Sequence, residues 1–171
     1  LMRPLLADPA LQAAPGHIEA ARLHFREMLQ IRGSSPLFRL RTAEDVQARL
    51  AFLNTGPEQI PGLIVMTLDD RAGGDLDPNN ELIVVLFNAD ARAVSFADAG
   101  LQGLALALHP TLAASADPVA QGASFDSARG AFTVPGRTAA GFVLPQTASE
   151  PATASAATAT PLPVPPTATL P

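Results

Sequence analysis

The chain has 171 residues, is 47% hydrophobic and carries a formal net charge of −5, so it can bury the core of one domain but lacks the basic face that nucleic acid requires. It contains no cysteine, tryptophan or tyrosine, which excludes disulfides and Cys-ligated zinc and argues against an aromatic platform for stacking on sugars or bases. Its apolar runs reach about six residues against the ~20 needed to cross a bilayer, so no membrane span is predicted, and no signal-like apolar stretch follows Pro4.

Two helices are predicted in the first part of the chain. Asp8-Pro9 has the pattern of an N-cap followed by proline in the first turn, which predicts a short helix over residues 8–14. Residues 17–31 then carry apolar side chains at helical spacing, which predicts an amphipathic helix. Its apolar stripe consists of Ile18, Ala21, Phe25, Met28 and Leu29. The stripe needs a partner surface, and Pro36 prevents the helix from continuing.

A third, short helix and the change to strand periodicity follow. Thr42 and Asp45 have the spacing of a capping box, which predicts a helix that carries Val46. From about Leu50 the apolar residues alternate, and a turn is predicted over residues 54–57. The chain therefore changes from helix to strand near residue 50.

Two apolar runs, residues 63–68 and 82–87, are predicted to lie at the centre of the core. Each has the length and β-branched content of a strand, and each is apolar at odd and even positions alike. A strand of this kind is normally covered on both faces. The acidic, Gly- and Pro-rich segment from Asp69 to Glu81 suits a long hairpin loop between them.

Further strands are shorter. They are predicted over residues 93–96, 104–108, 122–125, 131–134 and 138–144, and Asp126 to Gly130 has the composition of a hairpin turn. About seven short strands separated by turns predict a mainly β fold, an antiparallel β-sandwich. Residues 147–171 consist of Ala, Thr, Pro and Ser with a single charge, at Glu150, which predicts a disordered tail or linker.

Several strings in this order resemble a known family. They are MLQIRGSSPLFRLRT over residues 28–42, FLNTGP over 52–57, PGLIVM over 61–66 and VPGRT over 134–138. Their order and approximate spacing resemble the C-terminal region of pullulanase-type α-1,6-glucosidases and limit dextrinases. The resemblance runs from about residue 5 to residue 145, and the tail is outside it.

The resemblance implies a domain organisation and a function. Residues 1–41 would be the last helices of a truncated β/α catalytic barrel and a connector, and residues 42–146 the C-terminal β-sandwich. The partner of this portion would be the barrel of the same polypeptide, and the substrate of the parent enzyme an α-glucan with α-1,6 links. The family's catalytic carboxylates lie in the barrel, and no position here matches their motifs. No catalytic, cofactor-binding or metal-binding residue is therefore assigned, and the chain alone is expected to be inactive.

The densest acidic segment is the loop from Asp69 to Glu81. Its aspartates could supply oxygen ligands to calcium, and Asp75-x-Asp77-x-Asn79 is a fragment of the EF-hand alternation. The complete EF-hand spacing is absent, so a solvated acidic hairpin is favoured over calcium binding.

The remaining polar candidates have structural interpretations. His17 and His24 are seven residues apart on one predicted helix, a rise of ~10.5 Å, too far to share a metal without other ligands. His109 stands alone, and Ser34-Ser35 has neither a nucleophile elbow nor a paired base, so turn formation is favoured for it. The basic cluster is Arg32, Arg39, Arg41 and Arg49. It could bind an anion, but contacts to a neighbouring domain are favoured.

The connector is expected to be extended after Pro36. Phe38 and Leu40 would then point to one side and fill the seam between helix and sandwich, with Arg39 and Arg41 on the other side.

The alternative to an enzyme portion is a free-standing β-sandwich binding or spacer module of a surface protein. The apolar stripe of the 17–31 helix discriminates between these two interpretations, because a free-standing module would have to cover the stripe with its own residues. The tail composition favours an extracellular or cell-surface location.

Overall fold

The computed structural model describes residues 2–146, so the predicted tail lies outside the described residues. The helices are α1 (Met2–Ala7), α2 (Pro15–Ser34), α3 (Ala43–Arg49), α4 (Pro110–Ala113) and α5 (Pro118–Gln121). The strands are β1 (Leu50–Phe52), β2 (Leu63–Asp69), β3 (Asn80–Asn88), β4 (Val94–Ala97), β5 (Ala107–Leu108), β6 (Ser124–Asp126), β7 (Ala131–Val134) and β8 (Thr138–Pro145). Within this range no helix is both long and apolar enough to cross a bilayer.

The predicted pair of apolar strands lies in the middle of the larger sheet. β2 and β3 are antiparallel neighbours, with Ile64 opposite Phe87 and Leu68 opposite Ile83. β3 also pairs with β8, which gives a five-stranded antiparallel sheet of order β1-β2-β3-β8-β5. A second, three-stranded antiparallel sheet has the order β4-β7-β6. The predicted mainly β, antiparallel fold is confirmed.

The main core lies on the inner face of the five-stranded sheet. One buried cluster on this face contains Val65 of β2, Val84 of β3 and Phe142 of β8. These side chains pack against Phe132 and Val134 from β7. The ring centroid of Phe132 lies 4.6 Å from that of Phe125 and 5.0 Å from that of Phe142, and these distances are typical of favourable tilted aromatic pairs. Side chains from both sheets therefore meet in one layer, as in a sandwich.

The outer face of the same sheet is covered at one end only. Leu37, which is 1% exposed, packs there with Leu68 and Ile83. Phe38 packs both on this cluster and on Ile31 at the C-terminal end of α2. The predicted seam between the long helix and the sandwich therefore exists, and Phe38 lies in it.

The connector differs from its prediction. Pro36–Arg39 is a 3-10 helix with Ser35 as N-cap rather than an extended segment. Ser35 Oγ accepts a hydrogen bond from the Leu37 N–H at 3.1 Å, which begins the turn and rotates Leu37 into the core. Strict alternation of side chains does not hold in a 3-10 helix, so the buried anchor is Leu37 and Phe38 is only half-buried.

Other boundaries also differ. The helix predicted over residues 8–14 is a 3-10 helix of three residues, Pro9–Leu11, although Asp8 caps it as predicted. Only Ala107–Leu108 of the strand predicted over residues 104–108 pairs with β8.

The hairpin at Asp126–Gly130 is confirmed by the pairing of β6 with β7, and Gly130 adopts a φ of 60°. The division of the chain at residue 41 stays a prediction.

Candidate functional site

Arg49 holds the acidic loop between β2 and β3 in place. Its guanidinium lies at the end of α3, is buried, and donates hydrogen bonds to the Asp70 carboxylate and to the Gly74 carbonyl oxygen. Asp70 also accepts hydrogen bonds from the backbone N–H groups of Leu76 and Asp77. The loop is thereby folded around a buried ion pair, and removal of one partner of such a pair leaves an uncompensated buried charge.

Asp77 is a second buried carboxylate in this loop. Its oxygens accept hydrogen bonds from the Asn79 N–H at 3.0 Å and from the Asn80 side chain at 2.9 Å. Burial acts to raise the pKa of Asp77, but hydrogen bonds from the side chains of Ser35 and Asn80 and from neighbouring backbone N–H groups outweigh it and lower the pKa. Asp77 is therefore held as a carboxylate that ties the loop to the connector.

The prediction of a solvated acidic hairpin is wrong for Asp70 and Asp77, which are 5% and 0% exposed. The physical reason is that each of them has fixed donors that replace water. Asp69 pairs with Arg71 at the surface, and Asp75 accepts a hydrogen bond from Gln146 at 3.0 Å. Among residues 2–146 no group of three or more His, Asp or Glu side chains is arranged to hold a metal ion. Weak or absent calcium binding by this loop stays a prediction.

Ser34 has a histidine partner that the sequence did not reveal. His109 Nε2 lies 3.0 Å from Ser34 Oγ, and His109 is buried. The arrangement is not that of a nucleophile and its base. The Thr111 N–H donates to His109 Nδ1, so Nε2 carries the proton of the neutral ring and donates to Ser34. Ser34 Oγ in turn donates to the Ile31 carbonyl oxygen at 2.7 Å.

His109 therefore donates to Ser34 rather than acting as its base, which agrees with the interpretation of both residues as structural. A general base has to accept the hydroxyl proton, and the lone pair that could do so is occupied by the Thr111 N–H. Burial lowers the pKa of His109, which keeps the ring neutral. His17 and His24 are exposed on α2, in agreement with their interpretation as surface residues.

The four arginines singled out from the sequence do not form one cluster. Arg49 is buried in the loop described above, whereas Arg32, Arg39 and Arg41 are exposed around the connector. Arg39 and Arg41 line a shallow depression of about 390 Å³ together with Asp45. Pairing of Arg49 with Asp70, 21 residues later, has no signal in the local sequence, because neither residue interrupts a periodic pattern.

Most of the α2 stripe is exposed within the described part of the chain, whereas its member Met28 is half-buried and packs on the cluster of Ile31, Leu112 and Ala120. Ile18, Phe25 and Leu29 are 60%, 65% and 53% exposed. They lie roughly 120–160° around the helix from the buried Ile31, which packs on the sandwich. α2 therefore uses one side for the sandwich and presents an uncovered apolar surface on the opposite side.

Comparison with known proteins gives consistent similarities. The family model of the C-terminal region of pullulanase-type α-1,6-glucosidases matches residues 1–145. Over 148 residues the chain is 44% identical to chloroplastic pullulanase 1 of Arabidopsis thaliana, covering 84% of this chain and 15% of that protein. Over 139 residues it is 35% identical to a pullulanase of Klebsiella pneumoniae, covering 78% of this chain and 12% of that protein.

The same similarity holds between structures. The maltotriose complex of PulA from Klebsiella pneumoniae superposes with a TM-score of 0.67 at 38% identity, over 73% of this chain and 13% of that one. The chain thus spans only 12–15% of the length of the curated relatives named above.

Proposed function

Because the chain belongs to the pullulanase-type α-1,6-glucosidase family, as its C-terminal region, we propose that the polypeptide containing it hydrolyses α-1,6-glucosidic links. The substrates would be pullulan, amylopectin and limit dextrins, which makes the parent a starch-debranching glycoside hydrolase. The relatives that carry the name pullulanase support this proposal.

Within that enzyme, residues 2–146 serve the fold and not the chemistry. Retaining hydrolysis of a glycosidic bond needs two carboxyl groups about 5 Å apart, one of them with a raised pKa, beside a sugar cleft. Asp70 is held by Arg49, and the pKa of Asp77 is lowered. Both buried carboxylates are thus engaged in holding one loop, and neither is suited to act as a general acid.

The partner is the catalytic barrel of the same polypeptide. The observation that carries this proposal is the exposed stripe of Ile18, Phe25 and Leu29 on α2. Apolar surface of this kind on a helix is normally covered, and covering it stabilises by about 25 cal/mol per Å². A free-standing spacer module would have to cover the stripe itself, and within the described residues Ile18, Phe25 and Leu29 stay uncovered.

Two measurements test the proposal. The polypeptide encoded by the complete reading frame is expected to release reducing sugar from pullulan, and this 171-residue chain is expected to release none. Activity of the chain alone, or inactivity of the complete polypeptide, would contradict it.

The second measurement concerns the partner surface. In the complete polypeptide Phe25→Asp is expected to lower the melting temperature, because a charge would be placed in an apolar interface. Gln30→Asp is the matched control, since Gln30 is an exposed position on α2 outside the stripe. Equal melting temperatures of the two variants would show that the stripe has no partner.

A further inference from the structure

A depression beside the connector contains two arginines without a partner in the described part of the chain. It has a volume of about 390 Å³ and is lined by Pro36, Arg39, Leu40, Arg41, Asp45 and Leu76. Within residues 2–146 the guanidinium groups of Arg39 and Arg41 form no ion pair and no hydrogen bond. We call this surface the arginine depression.

Positive charge is in excess in the arginine depression. Among the described residues of its lining Asp45 is the only carboxylate, and it is already engaged. It accepts a hydrogen bond from Thr42 Oγ1 at 2.6 Å and lies 3.8 Å from Nε of Arg49. Arg39 and Arg41 are both exposed. An exposed pair of guanidinium groups of this kind is suited to bind a carboxylate.

The chain leaves the sheet close to this surface. Gln146, the last described residue, donates from its backbone N–H to the Asn79 carbonyl oxygen at 2.9 Å and from its side chain to the Asp75 carboxylate at 3.0 Å. Asp75 directly precedes Leu76, which lines the depression. The segment that follows Gln146 therefore starts beside the arginine depression.

The sequence after Gln146 supplies a carboxylate. Residues 147–150 are Thr, Ala, Ser and Glu, and Glu150 is the single charge of residues 147–171. Pro151 favours an extended backbone at Glu150, because proline disfavours the helical region for the residue before it. Four extended residues span about 13 Å, and the lining of the depression begins one residue beyond the loop contact of Gln146. Glu150 is therefore within reach of the two arginines.

We propose that residues 147–150 lie in the arginine depression, where the Glu150 carboxylate pairs with its two guanidinium groups. This segment is favoured over a second molecule because it is covalently held at the border of the depression, which gives it a high effective concentration there. Its one negative charge also matches the unpaired positive charge of the surface. The start of the predicted linker would thus be held against the connector, and the uncharged residues after Pro151 would stay outside the contact. The inference does not depend on the proposed function, because every residue in it belongs to this chain.

Disulfide formation within the complete polypeptide tests the proposal, since residues 1–171 contain no cysteine of their own. Leu76→Cys places a thiol in the lining of the depression and Ser149→Cys places one beside Glu150, and neither substitution changes a charge. The rate of disulfide formation at a fixed oxidant concentration is read by mass spectrometry of the two linked tryptic peptides. In this background Glu150→Gln is expected to lower the rate about two- to fivefold, which corresponds to the loss of one exposed ion pair.

Three controls separate the ion pair from other effects. Glu150→Asp keeps the charge and is expected to keep most of the rate. Arg39→Gln together with Arg41→Gln should lower the rate by a similar factor, and adding Glu150→Gln to them should lower it no further, because both changes remove the same pair. In 1 M NaCl the effect of Glu150→Gln should disappear, since surface charges are screened beyond about 3 Å at that ionic strength.

A second measurement needs no cysteine. Phenylglyoxal modifies accessible arginine guanidinium groups, and pairing with a carboxylate slows this reaction. In the complete polypeptide Glu150→Gln is expected to raise the modification rates of Arg39 and Arg41 about two- to fivefold. The rate at Arg32, which is not part of the lining, should stay unchanged.

Three results would overturn the inference and leave the proposed function standing. The first is that Glu150→Gln changes neither the disulfide rate nor the phenylglyoxal rates at the two arginines. The second is that Glu150→Gln still lowers the disulfide rate after both arginine substitutions, because Glu150 then has a different partner. The third is that Leu76→Cys reacts neither with Ser149→Cys nor with a maleimide, because another part of the polypeptide then covers the depression.

Discussion

His109 Nε2 donates a hydrogen bond to Ser34 Oγ at 3.0 Å and so joins the C-terminal end of α2 to the N-cap of α4 across 75 residues of sequence. The Thr111 N–H donates a hydrogen bond to the other ring nitrogen, and the Ser34 hydroxyl donates one to the Ile31 carbonyl oxygen. A second contact, from Ser115 Oγ to the Glu27 carboxylate at 2.9 Å, reinforces the same junction. The long helix is therefore tied to the sandwich by polar contacts as well as by Phe38.

This junction predicts a dependence of stability on pH. Burial lowers the folded-state pKa of His109 below its unfolded value, so the unfolded chain binds a proton first as the pH falls. The free energy of unfolding is therefore expected to decrease as the pH falls from the unfolded pKa of ~6.5 towards the lower folded pKa. His109→Gln removes the titrating ring, so the melting temperature of the variant should change less between pH 8 and pH 5.5. An identical pH dependence in both proteins would contradict this assignment.

Leu37 is expected to be the main anchor of the connector. It is 1% exposed, and truncation of a buried leucine to alanine typically lowers the free energy of unfolding by ~2–5 kcal/mol. Phe38→Ala should cost less because Phe38 is only half-buried, and Arg39→Ala should change stability by ~0.5 kcal/mol or less. Chemical denaturation of the three variants measures this order. A larger loss in Arg39→Ala than in Leu37→Ala would mean that polar contacts hold the connector.

The Arg49–Asp70 ion pair is expected to control the folding of the loop. Arg49→Met leaves Asp70 buried without its cation and the Gly74 carbonyl without a donor, and breaking a buried pair typically costs ~3–5 kcal/mol. The matched control is Arg71→Met, which removes a more exposed arginine from Asp69 and should cost ~1 kcal/mol or less. Melting curves and proteolysis within residues 70–79 report the difference. Equal losses in the two variants would show that burial of the pair has no energetic consequence.

Calcium is expected to leave the stability of the chain unchanged. The carboxylates of Asp70 and Asp77 already accept hydrogen bonds from protein donors, and a metal ion would have to displace them. A titration with millimolar calcium should therefore not shift the melting temperature. A rise of several degrees that is lost in Asp75→Asn would reverse this prediction.

The sequence by itself determined the elements whose signal is local and periodic. The β-branched runs of β2 and β3 predicted the central strands, the helical spacing of Ile18 and Phe25 predicted α2, and the ordered strings from residue 28 onward indicated the family. It also indicated that the stripe of α2 needs a partner. Hydrophobic periodicity carries this information because it depends only on neighbours along the chain.

Only the tertiary structure decided the polar contacts and the true anchor of the connector. Arg49 finds Asp70 across 21 residues and Ser34 finds His109 across 75, and such pairs leave no periodic trace in the sequence. The buried residue of the connector is Leu37 and not Phe38, because Ser35 caps the 3-10 helix that begins at Pro36. The X-Pro dipeptide in the sequence does not by itself specify that 3-10 helix. The alternating Leu and Ala residues before His109 suit either strand or helix, and pairing with β8 restricted the strand to Ala107–Leu108.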